Sequence, residues 1–290
     1  MRFPRPIRRA YAFVREVVVD YSKDNGALVA AAVSFYVYLS LVPILLLAIA
    51  VAGYVLGSPD RAQTIVFGYL KDYSPTLTAQ GSGAIQQVVQ EVVEVRGAAT
   101  GIGLLVLLWT ASSAFANLEK AINVAYNVTE RRNILKTRLL AISIPVLVGL
   151  LLAASFVATA GLKAIRSLDV QILGLAPAQW PWIWSFGGYL IPLLVTIGAF
   201  TIIYKIMPNT YVPTKVALAG GVVAGILWEL AKQAFSFYVS NYANYSKVYG
   251  SLAGVILLMV WINYSAVVTM LGAEVASVTA RRRPRTTEAE

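Results

Sequence analysis

Residues 247–283 read KVYGSLAGVILLMVWINYSAVVTMLGAEVASVTARRR, and this stretch decides the fold. The 26 residues between Lys247 and Glu274 include no Asp, Glu, Lys or Arg. As a helix rising about 1.5 Å per residue they extend roughly 39 Å, which is enough for one tilted membrane crossing. Tyr249, Asn263 and Glu274 fall on one face of that helix. We therefore predict a membrane helix with a polar face that packs inside a bundle and ends at a basic stop.

The composition is that of a membrane protein. Of the 290 residues, 58% are hydrophobic and 13% are charged, whereas soluble domains are about one-quarter charged. Cys and His are both absent, which excludes disulfides, thiol nucleophiles, histidine bases and metal sites built from Cys or His. The sequence also contains no phosphate-binding loop of the GxxxxGKS or GxxxxGKT type. We expect a chain with no enzyme activity, no cofactor, no metal and no ATPase of its own.

The predicted fold class is an all-α integral membrane protein, a bundle of six transmembrane helices with amphipathic interfacial helices. The predicted spans lie at about 27–56, 98–118, 139–162, 184–204, 214–240 and 248–277, within a membrane domain of residues 25–280. A basic amphipathic helix at 1–24 precedes them, an outer amphipathic helix is predicted at about 80–95, and a basic, disordered tail follows at 281–290.

The distribution of Lys and Arg predicts the orientation. The N-terminus, the 119–138 loop, the 205–215 turn and the tail hold 17 of these residues, and the other side of the membrane holds 7. Because positive charge favours the cytoplasmic side, both termini are predicted to be cytoplasmic. The chain is thus predicted to cross the membrane several times.

The N-terminal helix has one apolar face, formed by Ile7, Tyr11, Val14, Val18 and Tyr21. Arginines lie on the opposite side, a pattern that favours a helix lying on a membrane surface. We predict binding to membrane lipids, namely the anionic lipids of the inner leaflet, and no nucleic acid. A docking site for a soluble partner is the alternative.

Ionisable residues inside membrane spans are candidates for function. Glu229 lies in the outer half of the fifth span with Lys232 one turn further on, so the two could form an ion pair or contact a substrate or proton. Glu274 and Glu119 are predicted at the inner boundary, where they could pair with the nearby arginines at 281–283 or 131–132, or form an inner gate. The complete set of predicted substrate-path residues is Ser34, Tyr38, Ser40, Asn117, Glu119, Glu229, Lys232, Asn263 and Glu274.

Two pairs of glycines have the spacing that lets helix backbones approach closely. They are Gly221 with Gly225 in the fifth span, and Gly250 with Gly254 in the sixth. We predict that these two spans pack on each other or on a neighbour, and a homo-oligomer remains open.

Three segments together resemble the YihY/BrkB family of bacterial inner-membrane proteins. They are AAVSFYVYLSLVPILL at 31–46, LLWTASSAFANLEKAINVAYNV at 107–128 and YGSLAGVILLMVWINYSAVVTMLGAEVA at 249–276. The resemblance covers nearly the whole chain and implies about six spans, cytoplasmic termini and a multi-pass location in the bacterial inner membrane. Members of that family have been linked to serum resistance and to transport of lipid or lipopolysaccharide precursors, and some carry an old label as a transfer-RNA-processing ribonuclease.

The leading hypothesis is a transporter or flippase-like protein for a lipid or another amphiphilic envelope component. A non-transporting envelope scaffold would instead have polar residues that are all satisfied internally, and an exporter of a small solute or ion would have a narrow polar path without a lateral opening. Ribonuclease activity is disfavoured, because a metal-dependent nuclease of that kind needs metal-binding histidines and the chain has none.

Overall fold

The structure, a computed structural model, describes residues 5–56, 101–130, 132–133, 135–144, 147, 181–241 and 253–282. Every regular element in these ranges is helical, and they contain no strand. The helices are α1 (Arg5–Lys23), α2 (Gly26–Leu56), α3 (Gly101–Ala125), α4 (residues 135–144), α5 (Pro181–Ile206), α6 (Thr214–Asn241) and α7 (Ala253–Arg281). The all-α prediction is confirmed for this part of the chain.

Two of these helices are long and apolar enough to cross a membrane, at Thr214–Tyr238 and Ala253–Arg281. A bent pair, Ile7–Lys23 with Gly26–Leu41, would make a third crossing if it forms one span. The predicted outer helix at about 80–95, most of the predicted third span and Gly250 lie outside the described residues.

The chain divides into two compact units. The first comprises Met1–Asp24, Ile122–Leu230 and Val268–Glu290, and the second comprises Asn25–Ala121 and Ala231–Val267. The sequences of α6 and α7 are therefore each divided between the units.

In the first unit, α6 packs closely on α5 through glycine. A Cβ added at Gly221 would contact Thr201 Oγ1 and would lie 2.9 Å from the Ile197 carbonyl oxygen. A Cβ at Gly225 would lie 2.6 Å from Ile197 Cγ1. Since real Cβ atoms do not approach other atoms so closely, the absence of a side chain at both positions permits this spacing. The neighbour on this face of α6 is thus α5.

A second small-residue face of α6 packs on α7. A Cβ at Gly220 would lie 2.5 Å from the Gly272 carbonyl oxygen and 2.8 Å from Ala276 Cβ. A Cβ at Gly272 would contact the Tyr204 hydroxyl and lie 2.7 Å from Ala224 Cβ. Tyr204 is fully buried, and its hydroxyl donates to the Thr269 carbonyl at 2.8 Å. We call this contact of α5, α6 and α7, together with the Gly221 and Gly225 face, the glycine seam.

The turn between α5 and α6 is fixed by polar contacts with the segment that follows α3. The backbone N–H of Asn209 donates to Asn123 Oδ1 at 2.7 Å. Arg132 donates to the Pro208 carbonyl at 3.1 Å and to Asn209 Oδ1 at 3.2 Å. Asn127, with a φ of 55°, adopts the left-handed conformation that Asn tolerates after a helix end. These bonds make the turn a rigid part of the first unit.

Candidate functional site

In the second unit, polar side chains link the helices α2, α3 and α7. Ser40 of α2 donates to the Thr110 carbonyl of α3 at 2.9 Å. Asn263 of α7 approaches Ser34 of α2, with 3.4 Å between Nδ2 and Oγ. Ser34 in turn donates to the Ala30 carbonyl at 2.6 Å. We call Ser34, Ser40 and Asn263 the polar row; both serines are buried. The structure thus brings three of the predicted path residues into one helix group.

The other path candidates of the second unit are Asn117, Glu119 and Tyr38, and they differ in bonding and burial. Asn117 donates to the Ser113 carbonyl at 2.8 Å, and Lys120 donates to Asn117 Oδ1 at 3.5 Å. Glu119 is buried, with only 5% of its surface exposed, and Tyr38 is half-buried. The bonds of Asn117 hold its side chain against its own helix, α3.

The charges of α6 differ in exposure. Glu229 is half-buried, while Lys232 is exposed. Both side chains have interaction partners, so neither is an isolated charge. A half-buried acid with such a partner is compatible with a structural role and with a role in a substrate path.

Glu274 is the most deeply buried of the predicted site residues. None of its surface is exposed, and neither carboxyl oxygen has a hydrogen-bond donor among the described residues. Its carboxyl group faces α1, where Asp24 lies within hydrogen-bonding reach and Asp20 lies close enough for its charge to act on Glu274. We call Asp20, Asp24 and Glu274 the acidic cluster. The sequence reasoning included Glu274 and missed the two aspartates.

The arginines after Glu274 pair with α1. Arg281 forms an ion pair with Asp20 and donates to Ser277 Oγ at 2.9 Å. Arg282 donates to Glu16 Oε2 at 2.8 Å from Nε and at 2.6 Å from Nη2. Sequence analysis allowed Glu274 to pair with the arginines at 281–283. Arg281 and Arg282 instead form their ion pairs with acids of α1, and Arg283 lies outside the described residues.

α1 has two faces with different surroundings. Val17 packs on Val275 and Val278 of α7, with Phe13 beside them. The predicted apolar face points away from the unit, since Ile7, Tyr11, Val14 and Val18 are all more than half exposed. Tyr21, which was predicted on that face, is half-buried instead and lies close enough to Glu274 to feel its charge.

Burial raises the pKa of two tyrosines outside the membrane helices. The pKa of the Tyr126 hydroxyl is raised well above its usual value because the group is buried. Its hydroxyl donates to the Tyr204 carbonyl at 3.4 Å. The pKa of Tyr21 is raised by burial and, to a smaller extent, by the negative charge of Glu274. Both phenols are therefore neutral, and Tyr126 acts as a hydrogen-bond donor.

The chain is similar in sequence to several known proteins. YfkH of Bacillus subtilis, named as a ribonuclease-like protein, is 28% identical over 274 residues, which cover 94% of this chain and 96% of YfkH. A UPF0761 membrane protein of Vibrio vulnificus is 25% identical over 285 residues, covering 97% of this chain and 87% of that protein. A UPF0761 membrane protein of Azotobacter vinelandii is 31% identical over 281 residues, covering 94% of this chain and 64% of that protein. No solved structure matches the chain.

The model of the family described as virulence factor BrkB matches residues 17–290. That range includes all three sequence segments on which the resemblance rests, the polar row and the acidic cluster. Long apolar helices and the membrane proteins among its relatives agree with this assignment. The chain therefore belongs to the BrkB family of membrane proteins.

Proposed function

We propose that this chain is a six-span protein of the bacterial inner membrane that moves a lipid or another amphiphilic envelope component between the two leaflets. Both termini lie in the cytoplasm, and the chain works without an ATPase of its own. The observation that carries the proposal is the polar row, because Ser34, Ser40 and Asn263 place hydroxyl and amide groups among the largely apolar side chains of α2 and α7.

Apolar side chains on the outside of the same helices support contact with lipid. On α2, Phe35 and Leu39 are each more than half exposed, and on α7 Met259, Val260 and Tyr264 are exposed. In a bilayer, hydrocarbon covers such side chains without cost. A headgroup that crosses this layer loses its contact with water, so polar groups along the way lower the barrier to its passage.

The exposed face of α1 supports an interfacial anchor on the inner leaflet. Ile7, Tyr11, Val14 and Val18 provide apolar side chains for the acyl region, and the exposed Arg8, Arg9 and Arg15 provide positive charge for anionic headgroups. Apolar area and attraction to anionic lipid together determine how tightly such helices bind.

Movement of a fluorescent lipid across the bilayer of liposomes tests the proposed function. We expect the purified chain to accelerate it, and Asn263→Leu to reduce the rate at least about tenfold, which corresponds to a barrier increase of about 1.4 kcal/mol. Ser143→Ala is the matched control, because its hydroxyl bonds only to the Leu139 carbonyl of the preceding turn. Unchanged movement in Asn263→Leu would remove the polar row from the mechanism.

Glu229→Gln tests the half-buried acid of α6 in the same assay. If Glu229 contacts the moving headgroup, this nearly isosteric change abolishes lipid movement while the protein elutes as a folded species. Movement at the native rate would make Glu229 a structural ion.

A non-transporting scaffold is the second candidate function. The observation that favours it is that Ser34, Ser40 and Asn117 all find hydrogen-bond acceptors within their own unit. It predicts that liposomes containing the native chain move labelled lipid no faster than empty liposomes. The ribonuclease-like name of YfkH is not carried over, because this chain has no histidine to bind a metal.

The six-span topology is testable because the chain contains no cysteine. Single cysteines at residues 2, 130 and 285 are expected to resist an impermeant thiol reagent in intact spheroplasts, while cysteines at 61 and 166 react. The reverse pattern would contradict the proposed orientation.

A further inference from the structure

Three buried carboxyl oxygens of the acidic cluster have no hydrogen-bond donor among the described residues. Glu274 is completely buried, and both of its carboxyl oxygens lack a donor among the described residues. Oδ2 of Asp24 is also buried without a donor there. Two carboxylates cannot hydrogen-bond to each other, since ionised carboxylates only accept. The contact is satisfied only when one of the two groups carries a proton.

The surroundings do not supply another way to neutralise both charges. Asp20 adds a negative charge and is itself paired with Arg281. Arg281 attracts a negative charge at Glu274, and Tyr21 faces the cluster as a neutral phenol. Within the described ranges, no three acidic side chains are placed to hold a metal ion. A proton is therefore the cation that fits the space between Asp24 and Glu274.

We propose that Asp24 and Glu274 share one proton, and that this proton holds the C-terminal end of α1 against α7. The proton is bound to one carboxyl oxygen and donated to the facing oxygen of the other group. When it is released, the O–H bond breaks, the proton passes to water, and two adjacent carboxylates remain. Their repulsion then opposes the packing of Val17 on Val275 and Val278.

Two ion pairs limit how far α1 can move. Arg281 with Asp20 and Arg282 with Glu16 lie on the same side of α1 as Asp24. Both arginines are partly exposed, at 41% and 39%, so water and salt weaken their attraction. We infer that they keep α1 close to α7 while the apolar contact opens. This property stands independently of lipid movement.

A buried cysteine reports the opening of this contact. Val17 is 6% exposed and its neighbour Val18 is 53% exposed, so Val17→Cys and Val18→Cys form a matched pair in a chain with no other cysteine. Both are labelled with a thiol reagent in the full chain, reconstituted in lipid nanodiscs. The rate for Cys at 17 is divided by the rate for Cys at 18, which cancels the effect of pH on the thiol itself.

We expect this ratio to rise about tenfold between about pH 6 and about pH 9, as the shared proton is lost and the contact opens locally. In a Glu274→Gln background the ratio stays low at every pH, because the amide donates to Asp24 and cannot ionise. Asp24→Asn is expected to behave in the same way and provides a second variant if Glu274→Gln fails to fold. A ratio that is independent of pH in the native chain, or an equal rise in both variants, overturns the proposal.

Infrared spectroscopy detects the proton directly. The native chain is expected to show the carbonyl band of a protonated carboxyl group at neutral pH, and Glu274→Gln is expected to lose it. The shared proton requires a band in the native spectrum that both Glu274→Gln and Asp24→Asn remove. If there is no such band, the two groups do not share a proton.

Discussion

The glycine seam of the first unit and the polar row of the second join helices in opposite ways. In the seam, α6 approaches α5 and α7 so closely that a single added Cβ at Gly272 would contact Tyr204 and Ala224. In the row, α2 meets α3 and α7 through individual hydroxyl and amide groups, with one contact as long as 3.4 Å. The seam depends on the absence of side chains, whereas the row depends on polar side chains, of which Asn263 makes only a long contact with Ser34.

The two kinds of contact differ in what they can tolerate. A packed core loses about 1–3 kcal/mol for an inserted group, because neighbours must leave their rotamers or move backbone. Hydrogen bonds between membrane helices average about 0.6 kcal/mol. We infer that the seam carries stability and that the row is free to serve a passing ligand, and three substitutions test this division.

The largest effect is expected for Gly272→Leu. Its side chain would have to displace the Tyr204 hydroxyl and Ala224, both inside the seam, so we expect a loss of about 3 kcal/mol or more in the free energy of unfolding. Denaturation in detergent, followed by circular dichroism, measures it. Ala234→Leu, a similar enlargement at an exposed position of α6, is expected to stay within about 0.5 kcal/mol. Equal stability of both variants would contradict the inference that the glycine seam carries stability.

An intermediate effect is expected for Tyr204→Phe. The lost hydroxyl donates at 2.8 Å to Thr269 in a fully buried position, so its removal is expected to cost about 1–1.5 kcal/mol. Tyr126→Phe is the matched control. Its hydroxyl bond is 3.4 Å long, beyond the usual range for O–H···O, and we expect a cost below about 0.5 kcal/mol. A reversed order in melting experiments would show that bond length does not rank these contacts.

The smallest effect on stability is expected for Asn263→Ala. The change removes only the long contact with Ser34, so we expect a loss of about 0.6 kcal/mol by the same denaturation method. If lipid movement falls at least about tenfold in this variant, the loss lies in the polar path and not in folding. A stability loss as large as that of Tyr204→Phe would instead assign the polar row to structure.

Hydropathy and helical spacing were enough to predict an all-helical membrane chain, and the family was predicted from the resemblance of three sequence segments. Helical spacing also identified Gly221 and Gly225 as a small-residue face. Spacing does not show which helix packs on such a face, and in the structure that helix is α5. Gly220 with Ala224 and Gly272 with Ala276 have the same four-residue spacing, so the seam between α6 and α7 had a signal in the sequence. Tertiary packing determines which of these small-residue faces contacts which helix. The sequence of a single helix does not contain that information.

The acidic cluster was harder to predict. Glu16, Asp20 and Asp24 lie at intervals of four residues and therefore on one face of α1, which is a readable signal. The apolar face of α1 was read as the functional one, and the acidic face was overlooked. That Glu274 would be buried against these acids depends on how α1 docks on α7, a contact between residues about 250 apart in the sequence.

The docking of α1 on α7 also has a consequence for biosynthesis. Val17 leaves the ribosome long before Val275 and Val278 exist, because more than 250 residues separate them. At about 5–20 residues per second, α1 waits on the order of 10–50 s for its partner. During that interval its inner face, including Val17, has no protein surface to cover it. We expect the nascent helix to be shielded by lipid or by a chaperone, and its release onto α7 to be one of the last steps of assembly.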